Sequence, residues 1–304
     1  MIQCNYRVGA WGIMLKSLFE SMRPKQWTKN LIIFAAIIFA QELGNTFILL
    51  KVIGGFVVFS LLSGCGYIFN DIADMEKDRV HPRKQNRPIA AGRLNPLFAM
   101  SSAILIIILS LSSAFILRIE FGIVSSVYLL LTLGYSFFFK HIVIIDVLTL
   151  SFGFVLRAVA GAIVAGMEIS PWLVICTMLL ALFLGLGKRR HELVLLESHA
   201  TSHRAILREY TPAFIDEMIS AITGSTIIAY SLYAFSPEVQ AKLCTPYLPL
   251  TIPFVLYGIF RYLYLVHQKG GGGSPESDIM RDKPLLSAIL LWIVVVIVII
   301  YFLR

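Results

Sequence analysis

NDIADMEKDRVHPRKQNRPIAAG, residues 70–92, closes an apolar run that begins near residue 46. At about 100° per residue, Asn70, Asp71, Asp74 and Asp78 fall within roughly one 100° arc of a helix surface. Three carboxylates and an amide on one face repel each other unless a cation sits between them. Oxygen-only ligands at this spacing suit Mg²⁺, which takes one or two carboxylates, keeps several waters and binds substrate phosphate oxygens. Pro82 predicts that the helix stops near His81, because proline lacks the N–H that would continue it. Arg83, Lys84, Arg87 and Arg93 crowd the next turns. Acid followed by base at a membrane surface is the arrangement a diphosphate site needs: metal on the carboxylates, diphosphate on the metal, cations on the remaining charge. A solvated connector is the competing reading, but it gives no reason for acids confined to one face.

The surrounding chain puts this stretch at a membrane. Of 304 residues, 58% are hydrophobic and 14% charged, well below the ~25% charged of soluble domains. Apolar runs near span length recur throughout, so the expected fold class is all-α and polytopic. Nine transmembrane helices are expected, at 30–43, 46–70, 96–117, 121–139, 142–166, 171–187, 213–235, 248–266 and 284–303, around a central cavity. Residues 1–29 read as an amphipathic lead-in with Trp11 and Trp27 at the interface. Residues 30–304 read as one domain, with polar connections at 71–95, 188–212 and 267–283. The first 20 residues lack the features of a cleavable signal peptide. Most of the 26 Lys and Arg lie in the N-terminal segment and the even-numbered connections. That asymmetry predicts a cytoplasmic N-terminus, an outside C-terminus and a cavity open to the cytoplasm. The net charge of +8 therefore reflects topology and not nucleic-acid binding. Cys4, Cys65, Cys176 and Cys244 are scattered without ligand spacing and read as apolar fillers.

Other polar groups interrupt the apolar pattern. SMRPKQWTKN supplies Arg23, Lys25 and Lys29 just before the first expected span; positive-inside anchoring and a place in the site both account for them. YSFFFKH, Tyr135 to His141, either forms an aromatic belt with a snorkelling lysine or brings Tyr135 and Lys140 to a phosphate. Asp146 and Arg157 sit inside one apolar span, where each charge costs at least ~2.5 kcal/mol and calls for a cavity or a partner. Their ~16 Å axial separation rules out a direct pair, and with Gly153 they mark a polar stripe. GKRRHELVLLESHATSHRAILREY, residues 187–210, reads as a basic amphipathic segment led by Lys188 and Arg189. His199 and His203 have metal-ligand spacing within it but no evident third ligand. GGGGS at 270–274 reads as a glycine-rich native loop or a flexible linker.

N-D-x-x-D-x-x-x-D followed by H-P-x-K-x-x-R-P-I resembles the first aspartate-rich motif of the UbiA superfamily of intramembrane prenyltransferases. The resemblance implies a helical bundle using Mg²⁺ to bind a diphosphate substrate. Most members carry a second motif, D-x-x-x-D, after the sixth helix; here K-R-R-H-E-L stands in its place. That departure, with R-P-K-Q-W-T-K-N, Y-S-x-x-x-K-H and L-R-A-V-A-G-A, resembles the branch that transfers phosphoribose from phosphoribosyl diphosphate to polyprenyl phosphate. The branch also implies a Gly-containing segment ending in P-E before the last helix. In that reading Asn70, Asp71, Asp74 and Asp78 hold the metal. Lys84 and Arg87 clamp the diphosphate, and Lys188 and Arg189 bind a second phosphate. Lys25, Lys29, Tyr135, Lys140, Asp146 and Arg157 line the cavity. An aromatic prenyltransferase is the main alternative. A transporter fits less well, since neither repeated halves nor broken midplane helices are visible.

Overall fold

The computed structural model describes all residues except Met1, His81, Arg83, 199–208 and Arg304, with backbone alone at 2–11 and 195–198. His199 and His203 therefore lie outside the described residues, as do Arg83 and the side chains of Cys4 and Trp11. The described residues fold entirely as helices and their connections. After α1 (Ile2–Ser21) come a 3₁₀ segment (Pro24–Phe34), α2 (Ala35–Phe39), α3 (Thr46–Ala73), α4 (Met75–Arg79), α5 (Pro96–Leu117) and α6 (Ile119–Phe137). They are followed by α7 (Ile145–Ala165), α8 (Pro171–Ser198), α9 (Pro212–Phe235), α10 (Pro237–Leu243), α11 (Ile252–Gln268), α12 (Pro275–Arg281) and α13 (Lys283–Phe302).

Eight of the described helices are long and apolar enough to cross a membrane. They match the last eight expected spans, with ends set by recognisable caps. Asn45 and Asn95 accept backbone N–H bonds at the starts of α3 and α5, and Thr211 does so at α9. Pro96, Pro212 and Pro284 occupy the first turns of their helices, where a missing N–H costs nothing. The sixth span does not stop at 187: α8 continues as helix through Ser198 and carries Lys188 to Arg190 with it.

The region of the first expected span has a different form. Instead of one helix over 30–43, a 3₁₀ run to Phe34 leads into the five-residue α2, and the chain turns at Gln41 with φ 62°. Runs of 3₁₀ helix this long are uncommon, so tertiary contacts must support it. A Cβ on Gly161 of α7 would lie 2.1 Å from the Ile33 carbonyl oxygen. Only glycine allows this approach.

α7 is the most enclosed of the eight spans. One core packs Ile33, Phe59, Leu62, Phe121, Tyr128 and Val164 between α3, α6 and α7. A second packs Val147, Phe183, Ile215, Tyr262 and Leu285 between α7, α8, α9, α11 and α13. α7 thus joins two halves of the bundle, and its N-terminal end lies beside the ends of α6 and α8.

Candidate active site

α3 ends at Ala73, and Asp74 (φ −98°, ψ 8°) is the joint between α3 and α4. The acidic stretch is therefore a bent helix and not a straight one. The bend leaves Asp71 and Asp78 each 2% exposed, while the Asp74 side chain keeps 22% of its surface. Buried carboxylates require partners. Asp71 receives a charge-assisted bond from Arg23. Arg87 Nη1 lies 3.1 Å from Asp71 Oδ1 and 2.5 Å from Asp78 Oδ2. Asp74 turns the other way, to Lys140 Nζ at 2.9 and 3.0 Å.

Arg87 reaches the acids because its loop is anchored by apolar burial. Ile89 and Leu94 pack into a core with Met22, Cys65 and Ile68. Arg93 fastens the loop from outside with bonds of 3.0 and 3.1 Å to Glu20 and 2.7 Å to the Asn86 carbonyl. Arg23 precedes Pro24 in the left-handed region, at φ 52° and ψ 64°. Its guanidinium also lies 4.8 Å from the Tyr67 ring centroid.

Among the described residues, no three His, Cys, Asp or Glu side chains converge in the manner of a complete metal cage. Two carboxylates do converge, because Asp71 and Asp78 share one cationic nitrogen. Their oxygen-only chemistry fits a hard divalent ion held by two carboxylates and completed by water and phosphate. The half-buried Asn70 precedes Asp71 on α3, and Asp74 lies between the two acids in the chain with its carboxylate on Lys140. Lys84 is half-buried one turn before Arg87, whose N–H bonds to the Lys84 carbonyl at 3.0 Å.

A second polar centre lies where α6, α7 and α8 meet. Arg189, 1% exposed, donates to Asp146 at 2.6 Å, Glu192 at 2.5 Å and Tyr135 at 3.1 Å. Tyr210 donates to the other oxygen of Asp146 at 2.9 Å. Arg189 thus ties three helices together inside the protein, whereas the neighbouring Lys188 is half-buried. Arg190 pairs with Asp216 at 2.6 Å, and His267 approaches the same carboxylate at 3.2 Å.

Arg157 serves the 3₁₀ segment. It donates to Asn30 and Tyr128, each at 2.7 Å, and to the Gly153 carbonyl at 2.8 Å. Asn30 passes the network on to Ser60 and Ser63 of α3. Asp146 and Arg157 are unpaired with each other, as their spacing requires, and each joins α7 to another element.

The glycine-rich connection packs as a strap against α8. Gly270 and Gly272 have φ of 64° and 99°. A Cβ on Gly272 would lie 2.8 Å from the Gly187 carbonyl oxygen, and one on Gly273 would lie 2.5 Å from the His191 ring. The Gly272 N–H bonds to Asp278 at 2.7 Å. A passive linker makes no such demands on its residues. The strap brings Glu276 to Lys29, 2.8 Å away. Burial works against the Glu276 charge, but Lys29, with Lys188 nearby, holds its pKa below the ordinary glutamate range. Lys25 is exposed at the start of the 3₁₀ segment.

The sequence offers Lys140 either as a snorkelling lysine or beside a phosphate, raises Arg23 only within a basic run, and assigns no site role to Asn30, Tyr128, Glu192, Tyr210 or Glu276. Asn30 carried a usable signal, a lone amide at the edge of an apolar run. Glu192 is local, one turn along α8 from Arg189; the contacts of Arg23, Tyr128, Tyr210 and Glu276 depend on approaches between segments far apart in the chain.

The chain matches the UbiA prenyltransferase family over residues 31–275. A decaprenyl-phosphate phosphoribosyltransferase of Corynebacterium glutamicum is 34% identical over 289 residues, covering 93% of this chain and 86% of that protein. Its counterpart in Mycolicibacterium smegmatis is 34% identical over 301 residues, covering 95% and 94%. Among solved structures, a UbiA homolog from Archaeoglobus fulgidus bound to GPP and Mg²⁺ superposes with a TM-score of 0.69 at 17% identity, covering 93% of this chain and 99% of that one. The same homolog has been solved bound to Cd²⁺. The structural likeness at this identity speaks to the fold.

Proposed function

Because this chain belongs to the UbiA prenyltransferase family, we propose that it transfers 5-phosphoribose from phosphoribosyl diphosphate to a long-chain polyprenyl phosphate such as decaprenyl phosphate, releasing diphosphate. The observation that carries the reading is full-length similarity to decaprenyl-phosphate phosphoribosyltransferases. The basic Lys188–Arg190 run supports it, standing where most family members place a second pair of aspartates. Arg189 and Arg190 of that run are engaged by Asp146, Glu192 and Asp216, so Lys188 is the residue of the run assigned to a second anionic substrate.

In the proposed reaction, an oxygen of the acceptor phosphate attacks the anomeric carbon of ribose. The carbon–oxygen bond to diphosphate breaks, and that electron pair leaves with the diphosphate. Mg²⁺, when bound, would neutralise charge on the departing group. Asp71 and Asp78 would hold the ion, with Asn70 and Asp74 beside them. Arg87, Lys84 and Arg23 would take charge that the diphosphate brings. Lys140, bonded to both oxygens of Asp74, would orient that carboxylate and take charge from a phosphate oxygen. The acceptor phosphate is already anionic at neutral pH, so no strong general base is required. Lys188, Lys29 and Lys25 would bind a second phosphate, either the donor's 5-phosphate or the lipid head group. Arg189, Tyr135, Asp146 and Arg157 would shape the cavity from within the buried networks.

Positive-inside distribution supports an inner-membrane protein with its N-terminus and site on the cytoplasmic side. The soluble donor would enter from that side and the lipid laterally from the bilayer.

A two-arm transfer assay with Mg²⁺ in detergent or nanodiscs tests the reading. One arm contains labelled phosphoribosyl diphosphate and polyprenyl phosphate; the other contains a prenyl diphosphate and 4-hydroxybenzoate. Label entering the lipid phase in the first arm alone is expected. Product in the second arm alone would replace this reading with aromatic prenyl transfer.

A further inference from the structure

The connection between α6 and α7 contains a strained turn whose central N–H is held by a hydroxyl from a distant segment. Ile144 has φ 68° and ψ −44°, and the Ile145 N–H bonds back to the Val143 carbonyl at 2.7 Å. This is a γ-turn of the positive-φ form, a rare and strained conformation. Its central residue is β-branched, the type least tolerant of positive φ. Strain of this kind persists only where surrounding structure over-determines it.

Tyr210 supplies that constraint from the segment just before α9. Its hydroxyl oxygen accepts the Ile144 N–H at 2.6 Å. The same hydroxyl donates to Asp146 Oδ1 at 2.9 Å, while Arg189 holds Asp146 Oδ2. The ring is 3% exposed and stacks on Phe214 at 6.3 Å between centroids. Burial pushes the phenol up to about 12, so it remains a donor across the physiological range.

Four residues before Ile144 stands Lys140, 4% exposed and bonded to both oxygens of Asp74. The short 3₁₀ turn Phe139–His141 links it to the strained residue, with Ile142 N–H bonded to the Phe139 carbonyl. Relaxing Ile144 to negative φ would redirect the chain between α6 and α7, on which Lys140 and its bond to Asp74 depend.

We propose that Tyr210 is a positioning residue for the donor site, clamping the Ile144 turn so that Lys140 meets Asp74. The inference rests on the assignment of Asp74 and Lys140 to the donor site. Tyr210 itself touches neither substrate.

The test compares Tyr210→Phe, Ile144→Gly and the double variant in the full-length protein. Tyr210→Phe keeps the ring and deletes both hydrogen bonds. It should raise KM for phosphoribosyl diphosphate and lower kcat/KM about tenfold, with KM for polyprenyl phosphate unchanged. Glycine adopts positive φ without strain. Ile144→Gly should therefore retain near-normal turnover and restore most of the loss in the double variant. Amide exchange at residues 144–146 should quicken in Tyr210→Phe, independently of turnover. Unchanged exchange and kinetics in Tyr210→Phe would overturn the clamp, as would a double variant no better than Tyr210→Phe alone. If Tyr210→Phe does not fold, a folded and active double variant supports the clamp, and an unfolded one refutes it. Full activity in Asp74→Ala, with faster exchange in Tyr210→Phe, would instead retain the clamp and reject the donor-site assignment.

Discussion

Asp71 and Asp78 meet at one nitrogen of Arg87, 3.1 Å from the first and 2.5 Å from the second. The two acids are seven positions apart in the chain, and the bend at Asp74 makes a straight-helix account of their meeting insufficient. The shared guanidinium marks a place where a cation lowers the energy of both carboxylates. Removing it should create an appetite for metal. Arg87→Ala should gain more thermal stability from added Mg²⁺ than the unmodified protein gains. Equal shifts would show that the ion settles elsewhere.

Asp74→Ala and Asp78→Ala should each abolish turnover, by more than about 100-fold, while the protein remains folded and membrane-extractable. Diphosphate release measured on purified variants checks this. Normal turnover in either would remove that residue from the metal-binding set.

Lys188 and Arg189 are adjacent but should fail in different ways. Lys188→Ala should weaken the apparent affinity for one anionic substrate without unfolding the protein. Arg189→Ala strands the buried Asp146 carboxylate, a loss on the order of 3–5 kcal/mol of stability. Thermal unfolding in detergent, paired with substrate titrations, separates the two. Equal destabilisation by both substitutions would deny the division of roles.

The Lys29–Glu276 contact should give the strap an acid limit. Glu276 has a lowered folded pKa. Its contribution is complete above the ordinary glutamate value of about 4.3 and is lost as pH falls through the lower folded value. Protease susceptibility of residues 269–283 should therefore rise under acid below that value. In Glu276→Gln this transition should be absent. An identical acid response in both proteins would place its origin in another group.

Gly272→Ala should loosen the same strap at every pH. Its φ of 99° disfavours a side chain, and the new Cβ would meet the Gly187 carbonyl oxygen at 2.8 Å. Faster proteolysis of 269–283 is expected, with the rest of the protein intact. An unchanged cleavage rate would indicate that the GGGGS stretch tolerates any small residue.

The amino-acid sequence by itself determined the helical, membrane-spanning architecture and the clustering of acids at the end of α3. Those features are local: apolar runs of span length, prolines and capping residues at helix starts, and acids at helical spacing. It also marked Asp146 and Arg157 as charges needing partners, because burial of a charge is costly wherever the partner comes from. Only the tertiary structure decided who those partners are. Arg157 meets Asn30 from 127 residues away, and Asp146 meets Arg189 and Tyr210 across other segments. The 3₁₀ form of Pro24–Phe34 depends on Gly161 admitting its backbone. The strain at Ile144 depends on a hydroxyl 66 residues away. A residue's spacing along its own helix is written in the chain, but which distant surface it faces is set only when the helices pack.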